Sequence, residues 1–176
     1  MISKCVSLFW KLLIPFMNNK QYVKYLQRSG AYIGDGCYIH KSVSFGEEAC
    51  LIHIGKNTRL TGGVKVIAHD GGLWTLRKMG LLPDADFFAP VYIGDNVHVG
   101  NNAVVMPGVT IGNNCVIGVG AIVTKNIPDN SIAVGIPARV IETIEEYYEK
   151  KKNMCVCTKH MSDSEKKQYL EKRFSK

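Results

Sequence analysis

Two histidines, His69 and His98, are the side chains in this sequence best suited to acid–base chemistry. An imidazole has an ordinary pKa of about 6.5, so it can accept and return a proton near neutral pH. His69 follows the apolar segment Val66-Ile67-Ala68, where a regular spacing of apolar residues stops. Asp70, the next residue, can either orient an imidazole or a group of a neighbouring subunit, or form a turn of the Asp-Gly type. A site for proton transfer is predicted if the fold exposes these side chains.

A six-residue repeat is the strongest structural signal in the chain, and it determines which side chains point outward. A fixed period of six residues is typical of β-helix solenoids. Side chains alternate faces along a strand, so the residue between two apolar positions, such as His98, points outward. Two apolar columns run through residues 91–127. The first contains Ile93, Val99, Val105, Ile111, Ile117 and Val123, and the second contains Val97, Ala103, Val109, Cys115, Ala121 and Ile127.

A third column predicts the corners of the coil. Gly and Asn tolerate left-handed backbone angles, so each repeat is predicted to be a short strand followed by a corner. His69 falls on the same column, three residues after Val66, and His is among the few other residues that tolerate this conformation. We therefore expect its side chain to project outward from a corner and not into the core. The corner residues in the regular stretch are Asn96, Asn102, Gly108, Asn114, Gly120 and Asn126.

The repeat is interrupted twice. Earlier coils begin at Ile33, the phase slips by three residues around residues 51–53, and the pattern stops after Val66 until Ile93. A loop of about twenty residues inside a compact domain is often functional. We predict a helical segment over residues 1–30, a β-helix over 31–141 with a loop projecting at about 70–91, and a helical tail over 142–176 with a new helix starting near Ser162. The loop contains Trp74, Arg77, Lys78, Asp84, Asp86, Phe87 and Phe88.

The segment IGDNVHVGNNAVVMPGVTIGNNCVIGVGAIVTKNIPDNSIAVGIPARVI resembles the hexapeptide-repeat acyltransferases, most closely the maltose, galactoside and capsule-sugar O-acetyltransferases. The resemblance extends over about residues 33–141. It implies a mainly β fold, the left-handed parallel β-helix with three hexapeptides per turn, and a homotrimer as the working unit. It also implies that an acetyl group passes from acetyl-CoA to a hydroxyl of a sugar or polysaccharide precursor, although the motif specifies the fold better than the acceptor.

The same resemblance implies residues for the site. In this family the catalytic histidine ends a coil just before the loop, as His69 does, so His69 is expected to be the general base. The most similar members carry Trp in place of His98, so His98 is a second acid–base group, an acceptor contact or a surface residue. Lys125 and Arg139 suit phosphate binding, with a solvated charge at a corner as the alternative. The positions that match the acetyl-CoA site are Asn101, Gly118, Val119, Gly120, Thr124, Lys125 and Arg139.

Other functions stay open from the sequence. A serine O-acetyltransferase is one alternative, although its long helical N-terminal domain and its glycine-rich segment after the catalytic histidine are poorly matched. An amino-sugar N-acetyltransferase would use the same base, and a non-catalytic trimeric scaffold is the alternative from another class. A carbonic anhydrase of the γ type would need three metal-binding histidines, two of them a few residues apart. No such pair occurs among His40, His53, His69 and His98, so no metal is expected.

The net charge and the cysteine content limit which binding partners and which cellular compartment we expect. The net charge is +7, and the first thirty residues contain Lys and Arg but no acid. Such an excess could meet nucleic acid, an anionic membrane surface or the phosphates of a cofactor. No nucleic-acid motif is present, so we expect no nucleic-acid partner. Weak contact of the N-terminal helix with the inner membrane surface is an alternative to packing on the solenoid. The six cysteines lack the spacing of a disulfide framework, which favours a reducing cytoplasm.

Overall fold

The computed structural model of the protein describes residues 13–175 as a parallel β-helix with helices at both ends. A short 3₁₀ turn at Ile14–Phe16 precedes the first helix. The helices are α1 (Asn19–Arg28), α2 (Leu73–Lys78), α3 (Ile144–Lys151) and α4 (Asp163–Phe174). The strands are β1 (Tyr32–Ile33), β2 (Tyr38–Ile39), β3 (Ile52–Ile54), β4 (Arg59–Leu60), β5 (Lys65–Val66), β6 (Val91–Ile93), β7 (His98–Val99), β8 (Val104–Val105), β9 (Thr110–Ile111), β10 (Val116–Ile117), β11 (Ile122–Val123), β12 (Ser131–Gly135) and β13 (Ala138–Thr143).

Three sheets form the sides of the coil. The first sheet has the order β1-β3-β6-β9, the second β13-β12-β10-β7-β4-β2 and the third β11-β8-β5. All pairs except β12 with β13 are parallel, and the register aligns residues of the same column, such as Leu60 with Val99 and Ile93 with Ile111. Both predicted apolar columns are buried throughout residues 91–127. The six-residue period therefore winds the chain into a stacked coil, because one repeat alone cannot cover its own apolar edge.

The corners follow the predicted Asn and Gly column with two exceptions. Asn57, Asn96, Asn102 and Asn114 have φ between +53° and +58°, so their backbones are left-handed. At one corner the side chains also stack, since the Asn96 amide donates to Asn114 Oδ1 at 3.0 Å and the Asn114 amide donates to Asn130 Oδ1 at 2.9 Å. Asn126 and His69 occupy the same column but are not left-handed. Asn126 instead accepts a hydrogen bond from the Thr110 backbone N–H at 2.8 Å.

Helix α1 covers the first coil. Asn18 and Gln21 form a capping box at its start, and Tyr22 and Leu26 are buried against the coil. The Asn19 side chain donates to the Ile39 carbonyl at 2.9 Å, which ties the helix to β2. Residues 1–12 of the predicted helical segment lie outside the described residues. None of the helices within residues 13–175 has the length and apolar character that crossing a bilayer requires.

The C-terminal end differs in part from the prediction. The segment after Ile141 was expected to be helical, but β13 continues to Thr143 and pairs antiparallel with β12. The two strands form an antiparallel hairpin. The six-residue period describes the parallel stacking of coils, so it could not predict this hairpin. Helix α4 starts where predicted, with Ser162 as N-cap and Glu165 completing a capping box.

Candidate functional site

The first interruption of the repeat places a carboxylate beside the coil. The chain needs three more residues than one repeat between Phe45 and Ile54, and these form a 3₁₀ turn at Ala49–Leu51. The Leu51 N–H donates to the Glu48 carbonyl at 2.9 Å and closes this turn. Glu48 therefore sits just before the turn, with a side chain that is 23% exposed. Glu48 was not predicted as a site residue, although the phase slip in the sequence marks its position.

The second interruption begins at His69. The corner conformation expected there was wrong, because His69 forms an antiparallel bridge with Phe88 and does not take a left-handed backbone. The Ala89 N–H donates to the Ala68 carbonyl at 2.8 Å, and the Asp70 N–H donates to the Phe87 carbonyl at 3.0 Å. The departing and returning segments pair with each other, and this pairing takes the place of the usual tight corner. The His69 side chain is 42% exposed, so it is not a core histidine.

His69 and Glu48 form a pair across the two interruptions. The distance from His69 Nδ1 to Glu48 Oε2 is 2.8 Å. An ionised carboxylate can only accept, so the hydrogen on the imidazole must be on Nδ1 when the ring is neutral. The other ring nitrogen, Nε2, is then the proton acceptor. The pair thus fixes both the tautomer and the orientation of the ring, as a base for proton transfer requires.

The pair lines a cavity of about 530 Å³ between the coil and the loop. Three aromatic side chains contribute to the lining, and each is about half exposed: Trp74, Phe87 and Phe88. Helix α2 is held against the returning segment by Arg77, which donates to the Ala85 carbonyl at 2.6 Å and forms an ion pair with Asp86. The loop is therefore an ordered wall of the cavity. Its aromatic residues lie beside the His69 ring, whose Nε2 atom is not bonded to Glu48.

Asp70 lines the same cavity but has a structural hydrogen bond. Its Oδ1 accepts from the Gly72 N–H at 2.8 Å, the geometry of an Asx turn that leads into α2. The carboxylate next to the His69 ring is that of Glu48, which is distant in sequence. Of the two interpretations of Asp70, the geometry favours the turn.

His98 lies on a different side of the chain. It points outward from β7 in the second sheet, where β4 places Arg59 beside it in register. Burial, and then the charge of Arg59, lower the pKa of the His98 imidazole. The ring is therefore neutral near neutral pH. His98 is not among the residues that line the cavity at His69 within this single chain.

The residues that match a cofactor site fall into two groups. Asn101 and Val119 are exposed at the corner between the second and third sheets, and the Gly120 N–H donates to the Asn101 carbonyl at 2.8 Å. Arg139 belongs with this group, because it faces Val134 in the hairpin and Val134 packs against Gly118. Thr124 and Lys125 are exposed after β11, at the following corner.

Glycine is favoured at Gly118 and at Gly120 for two different physical reasons. A Cβ on Gly118 would lie 2.7 Å from Val134 Cγ1, so close packing of adjacent coils excludes a side chain there. Gly120 has φ +69° and open space around it, so its backbone conformation is the constraint. Within residues 13–175, no group of three or more His, Cys, Asp or Glu residues is arranged to hold a metal ion.

The chain is similar to proteins of known class. The family model described as bacterial transferase hexapeptide (six repeats) matches residues 90–125. Protein CapG of Staphylococcus aureus is 40% identical over 167 residues, which are 93% of this chain and 95% of CapG. A solved structure of galactoside acetyltransferase in complex with coenzyme A aligns with a TM-score of 0.58 and 30% identity, over 74% of this chain and 73% of that one. The maltose O-acetyltransferase of Clostridium difficile 630 aligns with a TM-score of 0.54 and 31% identity, over 77% and 84%.

These similarities confirm the resemblance found in the sequence. The three stacked sheets, parallel except for the β12–β13 pair, and the solved relatives confirm the predicted left-handed parallel β-helix with helices at both ends. The similarity to CapG extends over nearly the whole of both chains, and the solved relatives are named acetyltransferases. The chain therefore belongs to the hexapeptide-repeat transferases and is an acetyltransferase of that family.

Proposed function

We propose that the protein transfers an acetyl group from acetyl-CoA to a hydroxyl of a sugar or polysaccharide precursor, with His69 as the general base. The observation that carries this proposal is the pair of His69 Nδ1 and Glu48 Oε2, 2.8 Å apart at the edge of an aromatic cavity. The donor and the acceptor class come from the relatives, which are named galactoside acetyltransferase, bound to coenzyme A, and maltose O-acetyltransferase.

The arrangement supports a direct transfer. A hydroxyl is a weak nucleophile until a base removes its proton, so His69 Nε2 takes the proton as the acceptor oxygen attacks the thioester carbonyl. The C–S bond then breaks, the acetyl ester forms, and the proton passes from the imidazolium to the departing thiolate. Glu48 stabilises the imidazolium between these steps and keeps the ring in place. We propose Glu48 as a positioning residue, whereas Asp70 shapes the turn beside it.

The cavity fits a neutral polyol better than an anion. Three carboxylates line it, those of Glu48, Asp70 and Asp86, against the single guanidinium of Arg77, which is already paired. The aromatic side chains of Trp74, Phe87 and Phe88 offer faces that can pack on the apolar face of a sugar ring. Serine, whose carboxylate would meet like charge, is therefore the less favoured acceptor. An amino sugar stays an alternative because its nitrogen would use the same base.

For acetyl-CoA, we propose the exposed residues of the later coils and the closing hairpin. Asn101, Val119 and Arg139 belong to one corner, and Thr124 with Lys125 to the next. Both Arg139 and Lys125 are exposed. A guanidinium binds phosphate through a fork of N–H groups, and an ammonium group binds it as a point charge.

We also propose a homotrimer acting in the cytoplasm. In such a trimer, we propose that His98 of one chain reaches the site of another across a subunit interface. Sedimentation velocity at several protein concentrations measures the oligomeric state.

A thioester-cleavage assay tests the proposal. Purified protein is incubated with acetyl-CoA and a panel of sugars, nucleotide sugars, amino sugars and serine, and thiol release is followed. His69→Ala is expected to lower kcat by about 100-fold or more, since a general base contributes that much. His40→Ala is the matched control, because His40 is an exposed coil histidine. A His69→Ala protein with full activity would disprove the role of His69. A wild-type protein that releases no thiol with any acceptor would favour a non-catalytic scaffold.

A further inference from the structure

The positive charge of the chain is concentrated at one end. Residues 1–30 contain five Lys or Arg and no Asp or Glu, whereas residues 31–141 contain eight of each sign. Residues 142–176 contain nine basic and seven acidic residues, so the C-terminal tail is nearly balanced. The acetyltransferase chemistry does not use this asymmetry, because the cavity at His69 and the cofactor positions all lie beyond residue 30.

Helix α1 presents this charge on its outer side. Tyr22 and Leu26 face the coil and are buried, whereas Lys20 and Lys24 are exposed one turn apart on the other side. Residues four apart share a helix face, so the two ammonium groups point the same way. Neither lysine side chain has a salt bridge or hydrogen bond to a described residue.

Apolar surface adjoins the cations. Phe16 is 85% exposed although it belongs to a structured 3₁₀ turn. A groove of about 370 Å³ runs beside it on the outer side of α1. The groove is lined by Leu13, Phe16, Met17, Lys24, Tyr25 and Arg28, together with Gln21. The chain that leads into Leu13 has the same composition, with Val6, Leu8, Phe9, Trp10 and Leu12 beside Lys4 and Lys11.

We infer that the N-terminal end of the described chain, residues 13–28, is a docking surface for an anionic lipid bilayer. Aromatic and aliphatic side chains enter the boundary between head groups and acyl chains, and lysine side chains bind the anionic head groups. Both the cations and the apolar side chains are needed. The lysines attract the protein to the anionic head groups, and insertion of the apolar side chains adds to the binding free energy. Nucleic acid fits this surface less well, because it offers no apolar phase for Phe16 and Leu13. Helix α1 packs on β1 and β2 at one end of the coil, whereas α3 packs on β12 and β13 at the other, so this surface and the start of the tail lie at opposite ends.

Flotation of the full-length protein with vesicles tests this inference. Vesicles of phosphatidylcholine with phosphatidylglycerol are compared with vesicles of phosphatidylcholine alone, at low and high salt. Binding is expected only to the anionic vesicles and is expected to weaken with salt. Lys20→Gln with Lys24→Gln is expected to lower the partition coefficient by about 30-fold, since each lysine near the surface is worth about fivefold. The matched control, Lys166→Gln with Lys167→Gln on α4, removes the same charge at the other end and is expected to change binding less than about twofold.

A second variant separates the apolar part. Phe16→Ser keeps the charge and is expected to weaken vesicle binding by about tenfold, because it removes a ring from the lipid phase. Circular dichroism of each variant checks that it is folded. Equal binding to neutral and anionic vesicles, equal loss in the α4 control, or binding of duplex DNA in place of vesicles would each overturn the inference. It does not depend on acetyl transfer, because flotation is measured without substrates.

Discussion

The stacked coils, formed by β1–β11, and the two interruptions, residues 46–51 and 67–90, are built by different rules. In the coils, geometry dictates the residue at most positions: apolar side chains fill the interior, and Asn or Gly forms the corners. The interruptions have no period, and they bring together Glu48, His69 and the aromatic loop residues. A rigid scaffold that repeats can hold irregular segments at fixed positions, and these are the segments free to carry chemistry.

The largest expected difference between the two regions is in stability. Leu60→Ala deletes a fully buried side chain in β4 and is expected to lower the free energy of unfolding by about 2–5 kcal/mol, because it leaves a cavity in the stacked core. Leu82→Ala makes the same chemical change in the loop, where the side chain is 43% exposed. Its expected cost is below about 0.5 kcal/mol. Urea denaturation followed by far-ultraviolet circular dichroism, at one protein concentration, measures the free energy of unfolding of both variants. Similar losses would contradict the difference between the coils and the interruptions.

Glycines sharpen the same comparison at a smaller scale. Gly118→Ala would bring a Cβ to 2.7 Å from Val134 Cγ1, so we expect a loss of about 1–3 kcal/mol from overpacking. Gly71→Ala in the loop meets no atom within 4 Å and is expected to be neutral or slightly stabilising. Thermal unfolding compares the two. Adding Val134→Ala to Gly118→Ala should recover part of the loss, and no recovery would mean that close packing is not the reason for this glycine.

A third change tests whether the interruptions carry the chemistry. Glu48→Gln keeps the shape of the side chain but removes the charge that orients His69 Nδ1–H, so we expect kcat to fall by about 10- to 100-fold. The KM for acetyl-CoA is expected to stay the same, because Glu48 is not among the cofactor positions. Glu47→Gln is the matched control, since Glu47 is exposed and adjacent. Steady-state kinetics with the best acceptor measure both, and a change confined to KM would contradict a positioning role.

The sequence predicted the scaffold more completely than the site, for a physical reason. The same residue pattern recurs six times in the repeat, so the apolar columns and most corners could be assigned from residue types alone. The pair of Glu48 and His69 joins residues 21 positions apart through two irregular segments, and no local pattern encodes their distance. The hairpin of β12 and β13 was missed because the six-residue period ends there. The loop was marked as functional by its length and aromatic content, but its helix and its ion pair to Asp86 were not foreseen.

The smallest expected effect concerns the histidine that belongs to the coils. Burial and the nearby charge of Arg59 lower the pKa of His98, so its midpoint, read from ring proton resonances in a pH titration, is expected below the ordinary value of about 6.5. Arg59→Gln should move the midpoint back toward that value but not reach it, because burial is the larger cause. The unfolded chain binds this proton more readily than the folded one, so the contribution of His98 to stability is present above pH 6.5 and declines as pH falls toward the folded pKa. A midpoint that Arg59→Gln leaves unchanged would mean that the two side chains, although neighbours in the sheet, do not interact.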